Sequence, residues 1–177
     1  MIALISDSHV PNRADRIPEQ FIEILKQADT VAHCGDFETR EMYDELDSIS
    51  EEFHAVKGNC DRFEIDNYNS FETNGVKIGM YHGSRITPRG HKPTLAKTAD
   101  ELNSKVLLHG HTHQQEATEF EGKILLNPGS CTGVGGGSSV DGNPRMMKVY
   151  VEDELRVEMI ELVDGEVNQI ESKSFEL

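Results

Sequence analysis

Histidines and carboxylates recur in this chain at one short spacing. Leu108-His109-Gly110-His111-Thr112-His113 sets two imidazoles two residues apart, directly after a glycine. In an extended segment residues i and i+2 project to the same side, so His111 and His113 are expected to share one small volume. Gly110 lets the chain approach closely there. Asp7 and His9 repeat the spacing near the start of the chain. Neutral imidazole is the commonest protein metal ligand, but an isolated His-x-His is better read as two solvated side chains of a polar loop. A metal site needs the rest of a donor set.

That set is present. Asp36, Asn59 and His82 each stand where an apolar run stops at small or turn-forming residues, in Gly35-Asp36, Gly58-Asn59 and His82-Gly83. The inventory is four imidazoles (His9, His82, His111, His113), two carboxylates (Asp7, Asp36) and the amide oxygen of Asn59. It exceeds what one tetrahedral ion requires and suits two divalent ions sharing a carboxylate. Asp36, alone on its turn, is the candidate for the shared position. Mixed nitrogen and oxygen donors favour transition ions over Mg²⁺; Mn²⁺ is the expected occupant, with Ni²⁺, Fe, Zn²⁺ or Mg²⁺ as alternatives.

The elements that must carry these residues alternate. Residues 2–6 form a short apolar run that predicts a buried strand, Pro18-Glu19 opens a helix over 19–28, and Thr30–His33 is a second strand. A helix follows Thr39, which is placed to cap it, and 53–57 is a third strand. This order predicts a parallel sheet with right-handed crossovers. Residues 67–73 and 76–82 then read as a hairpin about Asn74-Gly75, 93–102 as a helix and 106–108 as a strand leading into the histidine loop. Further β segments are expected at 115–120, 123–126, 145–151, 155–162 and 166–170. Most candidate donors thus fall after strands, where an open α/β sheet places its ligand crevice.

The chain has 177 residues, which predicts one domain over 1–177. Its 32 Asp plus Glu against 17 Lys plus Arg give a net charge of −15, which argues against general nucleic-acid binding, since phosphate contacts come mainly from Lys and Arg. Three scattered cysteines do not form a disulfide framework. No apolar run approaches membrane-spanning length, and the expected setting is a reducing cytoplasm. Gly133–Gly137 is not a P-loop, because no Gly-Lys-Ser/Thr follows it.

Asp7-Ser8-His9, Gly35-Asp36, Gly58-Asn59-Cys60-Asp61, His82-Gly83 and Gly110-His111-Thr112-His113 occur in the order found in the calcineurin-like metallophosphoesterases. Together with Asn127-Pro128-Gly129-Ser130 they resemble the small phosphodiesterase group of that family. The resemblance implies a four-layer α/β/β/α sandwich of two mixed sheets. It assigns Asp7, His9, Asp36 and His113 to one ion and Asp36, Asn59, His82 and His111 to the other. It also implies hydrolysis of a small-molecule phosphoester, a phosphodiester above all, by a hydroxide bridging the ions, with Asp36 and Asn59 taking part in catalysis. His33, Asp61 and His109 are expected to act as outer hydrogen-bond partners. Many relatives have His where this chain has Cys60, and often another His where it has Ser84; the first departure predicts a bias toward diesters or good leaving groups. Two other readings stand beside this one. The retromer scaffold subunit resembles this fold and serves mainly as a protein-binding surface, and nucleotide or protein phosphomonoesterases share the chemistry. A β-rich C-terminal third leaves edge strands on which copies of the chain can pair.

Overall fold

The computed structural model describes residues 1–137 and 139–177. Its first part runs β1 (Ile2–Ile5), α1 (Glu19–Lys26), β2 (Thr30–His33), α2 (Arg40–Ile49) and β3 (Glu52–Ala55). The hairpin β4 (Tyr68–Thr73) and β5 (Val76–Tyr81) follows, then α3 (Lys92–Glu101) and β6 (Val106–Leu108). The chain ends in β7 (Glu116–Phe120), β8 (Lys123–Asn127), β9 (Arg145–Val151), β10 (Glu154–Val163) and β11 (Glu166–Glu176).

These strands make two mixed sheets. The first has the order β11-β10-β9-β1-β2-β3, with β1, β2 and β3 parallel and β9 antiparallel to β1. The second has the order β4-β5-β6-β8-β7, a parallel centre of β5, β6 and β8 flanked by antiparallel edges. Alternate residues explain the layering. Ile2 and Leu4 point into the core between the sheets with Ile78, Met80, Val106 and Leu108. Ala3 and Ile5 point outward onto Phe21 and Leu25 of α1 and Met42 and Leu46 of α2. Leu107 and Leu125 face Leu95 and Ala99 of α3 on the far side. The result is the expected α/β/β/α sandwich. Each fully buried Leu, Ile or Met contributes roughly 1.5–3 kcal/mol relative to exposure.

Local signals mostly hold. Thr39 caps α2, its hydroxyl accepting from Met42 N at 3.3 Å. Asn74 and Gly75 take φ of 50° and 77°, as a two-residue hairpin turn demands. Element ends differ by a few residues: α1 stops at Lys26 and β3 spans Glu52–Ala55 rather than 53–57. The largest departure is β11, which continues to Glu176, six residues past the expected end at 170. Glu171-Ser-Lys-Ser-Phe-Glu lies on a sheet edge with only Lys173 and Phe175 half-buried, so it carries too little apolar alternation to announce a strand.

What matters for the site is where the parallel strands stop. β1 ends before Ser6-Asp7, β2 before Cys34-Gly35-Asp36, β5 before His82 and β6 before His109. Within each sheet the ends are tied, Asp7 N donating to Gly35 O at 3.0 Å, His9 N to Asp36 O at 3.0 Å and Gly110 N to His82 O at 3.1 Å. Across the sheets His111 N donates to the Asp7 carboxylate at 3.1 Å and His82 Nδ1 meets Cys34 O at 2.7 Å. Beyond β1 and β2, a single parallel bridge joins Val10 to Glu38.

Candidate metal centre

Six side chains from four loops converge, with a thiol beside them. In each of three groups the donor atoms all lie within 4.8 Å of one another: Asp7, His9 and His113; His9, Asp36 and Cys60; and Asp36, His82 and His111. The groups overlap, so they form one continuous centre with Asp36 in its middle. His9 Nε2 is 3.6 Å and His82 Nε2 3.4 Å from Asp36 Oδ2, while His113 Nε2 is 3.2 Å from Asp7 Oδ1.

Hydrogen bonds on the outer side of the rings decide which way they face. His9 Nδ1 meets the Glu38 carboxylate at 3.0 Å, His82 Nδ1 the Cys34 carbonyl at 2.7 Å, and His113 Nδ1 the Val134 carbonyl at 2.6 Å. Each partner only accepts, which assigns the proton to Nδ1 and turns the Nε2 lone pair inward. Two of those lone pairs, on His9 and His113, face each other at 3.4 Å. His82 Nε2 is buried and has no hydrogen-bond partner. Facing lone pairs and an orphaned buried nitrogen beside two carboxylates are unfavourable for neutral groups and favourable around cations. The donor set fits divalent ions.

The electrostatics agree. Burial raises Asp7 and Asp36, but His113 beside Asp7 and His82 beside Asp36 outweigh it, and both carboxyls sit below their ordinary range. Burial lowers His82, yet the nearby Asp36 and Asp7 carboxylates bring it up to about 9. A proton thus takes the cation's place when no metal is bound. His111 is lowered to about 4 by burial first, then by His82 and Arg89, and so offers a neutral ring.

The backbone is bent to reach this arrangement. Around the centre, positive φ occurs at Asp7 (53°), His9 (50°), Asp36 (63°), Glu38 (85°), His111 (68°) and His113 (60°). Left-handed residues of this kind cost of order 1–3 kcal/mol and persist where the surroundings enforce them, as at functional sites; Asp and His tolerate the region better than most. Close approach matters as well. A Cβ on Gly58 would lie 2.1 Å from Asp36 Oδ1, and one on Gly110 2.1 Å from Ser6 Oγ.

This corrects the expected geometry of the histidine loop. His111 and His113 are not on an extended strand and do not share one volume: successive left-handed turns send His113 to Asp7 and His9, and His111 to Asp36 and His82. Asn59 is less engaged than the other donors. It is exposed, its Nδ2 donating to Cys60 Sγ at 3.3 Å, and it lines a cavity of about 350 Å³ with His111, Ser84 and Arg85.

Of the expected outer partners, Asp61 is the most consequential. Its carboxylate accepts from the backbone of Asp36 (3.0 Å), Gly58 (2.7 Å) and Glu38 (2.8 Å), fixing the loop that carries Asp36. His33 accepts from Gly35 N at 3.1 Å, lies 3.2 Å from Ser8 Oγ and stacks on Phe37, while burial pushes it down to about 3. His109 accepts from Asn127 Nδ2 at 3.3 Å and is pushed by burial to about 4. Both brace the loops through neutral rings.

Sequence reading missed Glu38, Cys60 as a cluster member, and the Val134 carbonyl. Glu38 was findable, since Asp36-Phe37-Glu38 repeats the i, i+2 spacing of Asp7-Ser8-His9. A backbone carbonyl from a glycine-rich loop leaves no residue-type signal.

The profile of the calcineurin-like phosphoesterase superfamily domain matches residues 1–153. The chain belongs to that superfamily. Among curated relatives, a probable metallophosphoesterase of Methanocaldococcus jannaschii is 35% identical over 162 residues, covering 90% of this chain and 80% of the relative. Another probable metallophosphoesterase, of Methanothermobacter thermautotrophicus, is 36% identical over 135 residues, covering 75% and 77%. Among solved structures, Vps29 of Entamoeba histolytica complexed with zinc has a TM-score of 0.87 at 34% identity, covering 98% of both chains. Vacuolar protein sorting 29 of Cryptosporidium parvum has a TM-score of 0.91 at 26% identity, covering 99% and 97%. No helix among the described residues is long and apolar enough to cross a membrane.

Proposed function

We propose that residues 1–177 act as one domain bearing a two-ion phosphodiesterase centre for a small-molecule phosphoester. The observation that carries this reading is the chain of three overlapping donor groups, the first and second joined by His9 and the second and third by Asp36. Asp7, His9, Asp36 and His113 hold one ion; Asp36, Asn59, His82 and His111 hold the other, with Mn²⁺ the ion we assign. When bound, such a pair supplies Lewis acidity and a nucleophile of lowered pKa. The protein's own part is to place charge and donors. Asp36 keeps the pair together, and Glu38, Cys34 and Val134 hold three rings with Nε2 inward. Asn59, at the open side, offers its NH₂ to a phosphoryl oxygen while its Oδ1 turns to the ion.

Cys60 supports diesters over alkyl monoesters. Its thiol is pushed up to about 12 by burial and by Asp36 beside it, so it is a poor proton donor for an alkoxide. Its three unpaired cysteines support a reducing cytoplasm as the setting. The test is hydrolysis of bis-p-nitrophenyl phosphate with and without Mn²⁺, repeated on Asp36→Asn and Asn59→Ala. Turnover that ignores both the ion and the substitutions would overturn the proposal, and a monoester panel separates it from a phosphomonoesterase.

Likeness to Vps29, one of whose structures carries a bound cyclic peptide, supports a second reading as a protein-binding scaffold. Because a Vps29 structure is itself complexed with zinc, ion-dependent turnover of bis-p-nitrophenyl phosphate, rather than ion content, distinguishes the two.

A further inference from the structure

Cys60 is the donor that the ion assignment above leaves unused. Its Sγ and the donor atoms of His9 and Asp36 all lie within 4.8 Å of one another. The placement is built by the loop: Cys60 N donates to Asp36 Oδ1 at 2.7 Å, and Asn59 Nδ2 donates to Sγ at 3.3 Å. Its neighbour His9 already turns a lone pair the same way, because Glu38 holds the opposite nitrogen at 3.0 Å. The other cysteines are not placed for this. Cys34 packs in the core between the sheets and Cys131 under the helices, both 0% exposed, whereas Cys60 is partly open.

Bond lengths show that the three donors can close on one ion. A Zn–S bond of about 2.3 Å and a Zn–N bond of about 2.0 Å put sulfur and nitrogen roughly 3.5 Å apart in a tetrahedral site. Small side-chain rotations bring donors within 4.8 Å of one another to that separation. Thiolate is a soft ligand that selects zinc-like ions, while Mn²⁺ and Mg²⁺ prefer oxygen.

Resting on the two-ion reading above, we propose that Cys60 is a metal-selective ligand: a zinc-like ion held by His9 and Asp36 takes its sulfur, and Mn²⁺ does not. The thiol proton leaves to solvent as the metal–sulfur bond forms, with no change of oxidation state. The same loop position that departs from the family pattern at Cys60 then sets which ion the centre prefers.

Cobalt(II) reads this directly, since its visible d–d bands report binding and its near-ultraviolet sulfur-to-metal band reports a thiolate ligand. Metal-free protein titrated with Co²⁺ under anaerobic conditions is expected to show both, and Cys60→Ser to keep the d–d bands while losing the sulfur band. Visible bands without a sulfur band in the unaltered protein overturn the role of Cys60 and leave the two-ion reading standing. Absence of any bound cobalt overturns both. Competition against a chromophoric chelator gives a second readout. Zn²⁺ affinity should fall in Cys60→Ser by at least the roughly tenfold that even an outer partner of a ligand is worth. Mn²⁺ affinity should stay within about threefold, which also shows that the variant folds; equal losses for both ions overturn the proposal.

Discussion

The two halves of the centre are built to different tolerances. Around Asp7, His9 and His113, both rings are pinned on their outer nitrogens, by Glu38 and by the Val134 carbonyl, and Asp7 is fully buried. Around Asp36, His82 and His111, only His82 is held that way. His111 is fixed instead through its backbone, its N–H on Asp7 and its carbonyl under Arg89. Asn59 stands exposed beside it at the cavity. A pinned half holds its ion without rearranging, while a looser half beside open space lets ligands exchange. On the proposed two-ion reading, the contrast predicts that one half retains its ion and the other exchanges ligands.

The strongest way to break this contrast is to remove what the halves share. Asp36→Asn should abolish retention of both ions and lower Mn²⁺-dependent turnover by at least about a hundredfold, read by metal analysis and steady-state kinetics on the same preparation. Removing support from one half should be asymmetric. Glu38→Gln weakens the partner of His9 and should cost about 10–100-fold in affinity for the tighter ion. The weaker ion should stay within about threefold in the same calorimetric titration. A symmetric loss would erase the distinction between the halves.

A pH series sharpens the second half. His82 is raised from its ordinary 6.5 to about 9, so its pairing with Asp36 stabilises the ion-free fold fully below pH 6.5 and is lost as pH climbs through 9. The melting temperature of the metal-free protein should therefore fall over that window. Affinity for the ion that displaces the proton should rise by up to about tenfold per pH unit over the same range. The smallest effect is expected far from both halves. Ile170→Thr, on the exposed edge strand β11, should change stability by no more than about 0.5 kcal/mol in denaturant titration and leave ion content untouched.

What could be read from the chain followed from how each element is buried. β1, β2, β6 and β8 lie inside a sandwich, so they are near-continuous apolar runs that end abruptly at Asp7, Gly35, His109 and Pro128. The ends of β1, β2 and β6 point to Asp7, Asp36 and the histidine loop. β11 was only half legible because an edge strand needs little apolar surface. The i, i+2 spacing found Asp7, His9, His111 and His113 but misjudged their geometry, since left-handed turns at Asp and His leave no mark in composition. Asn59 was identified by the company it keeps; in the fold it is the donor least drawn in. Glu38 carries the i, i+2 signal after Asp36, whereas the Val134 carbonyl acts one bond behind the donors, where residue type says nothing.

The most direct test of the account is the ion count. Protein loaded with Mn²⁺, desalted and measured by inductively coupled plasma mass spectrometry should hold two ions per chain, and one after brief chelation, as the looser half empties first. No retained ion, or two that leave together, would contradict a centre with one retaining half and one exchanging half.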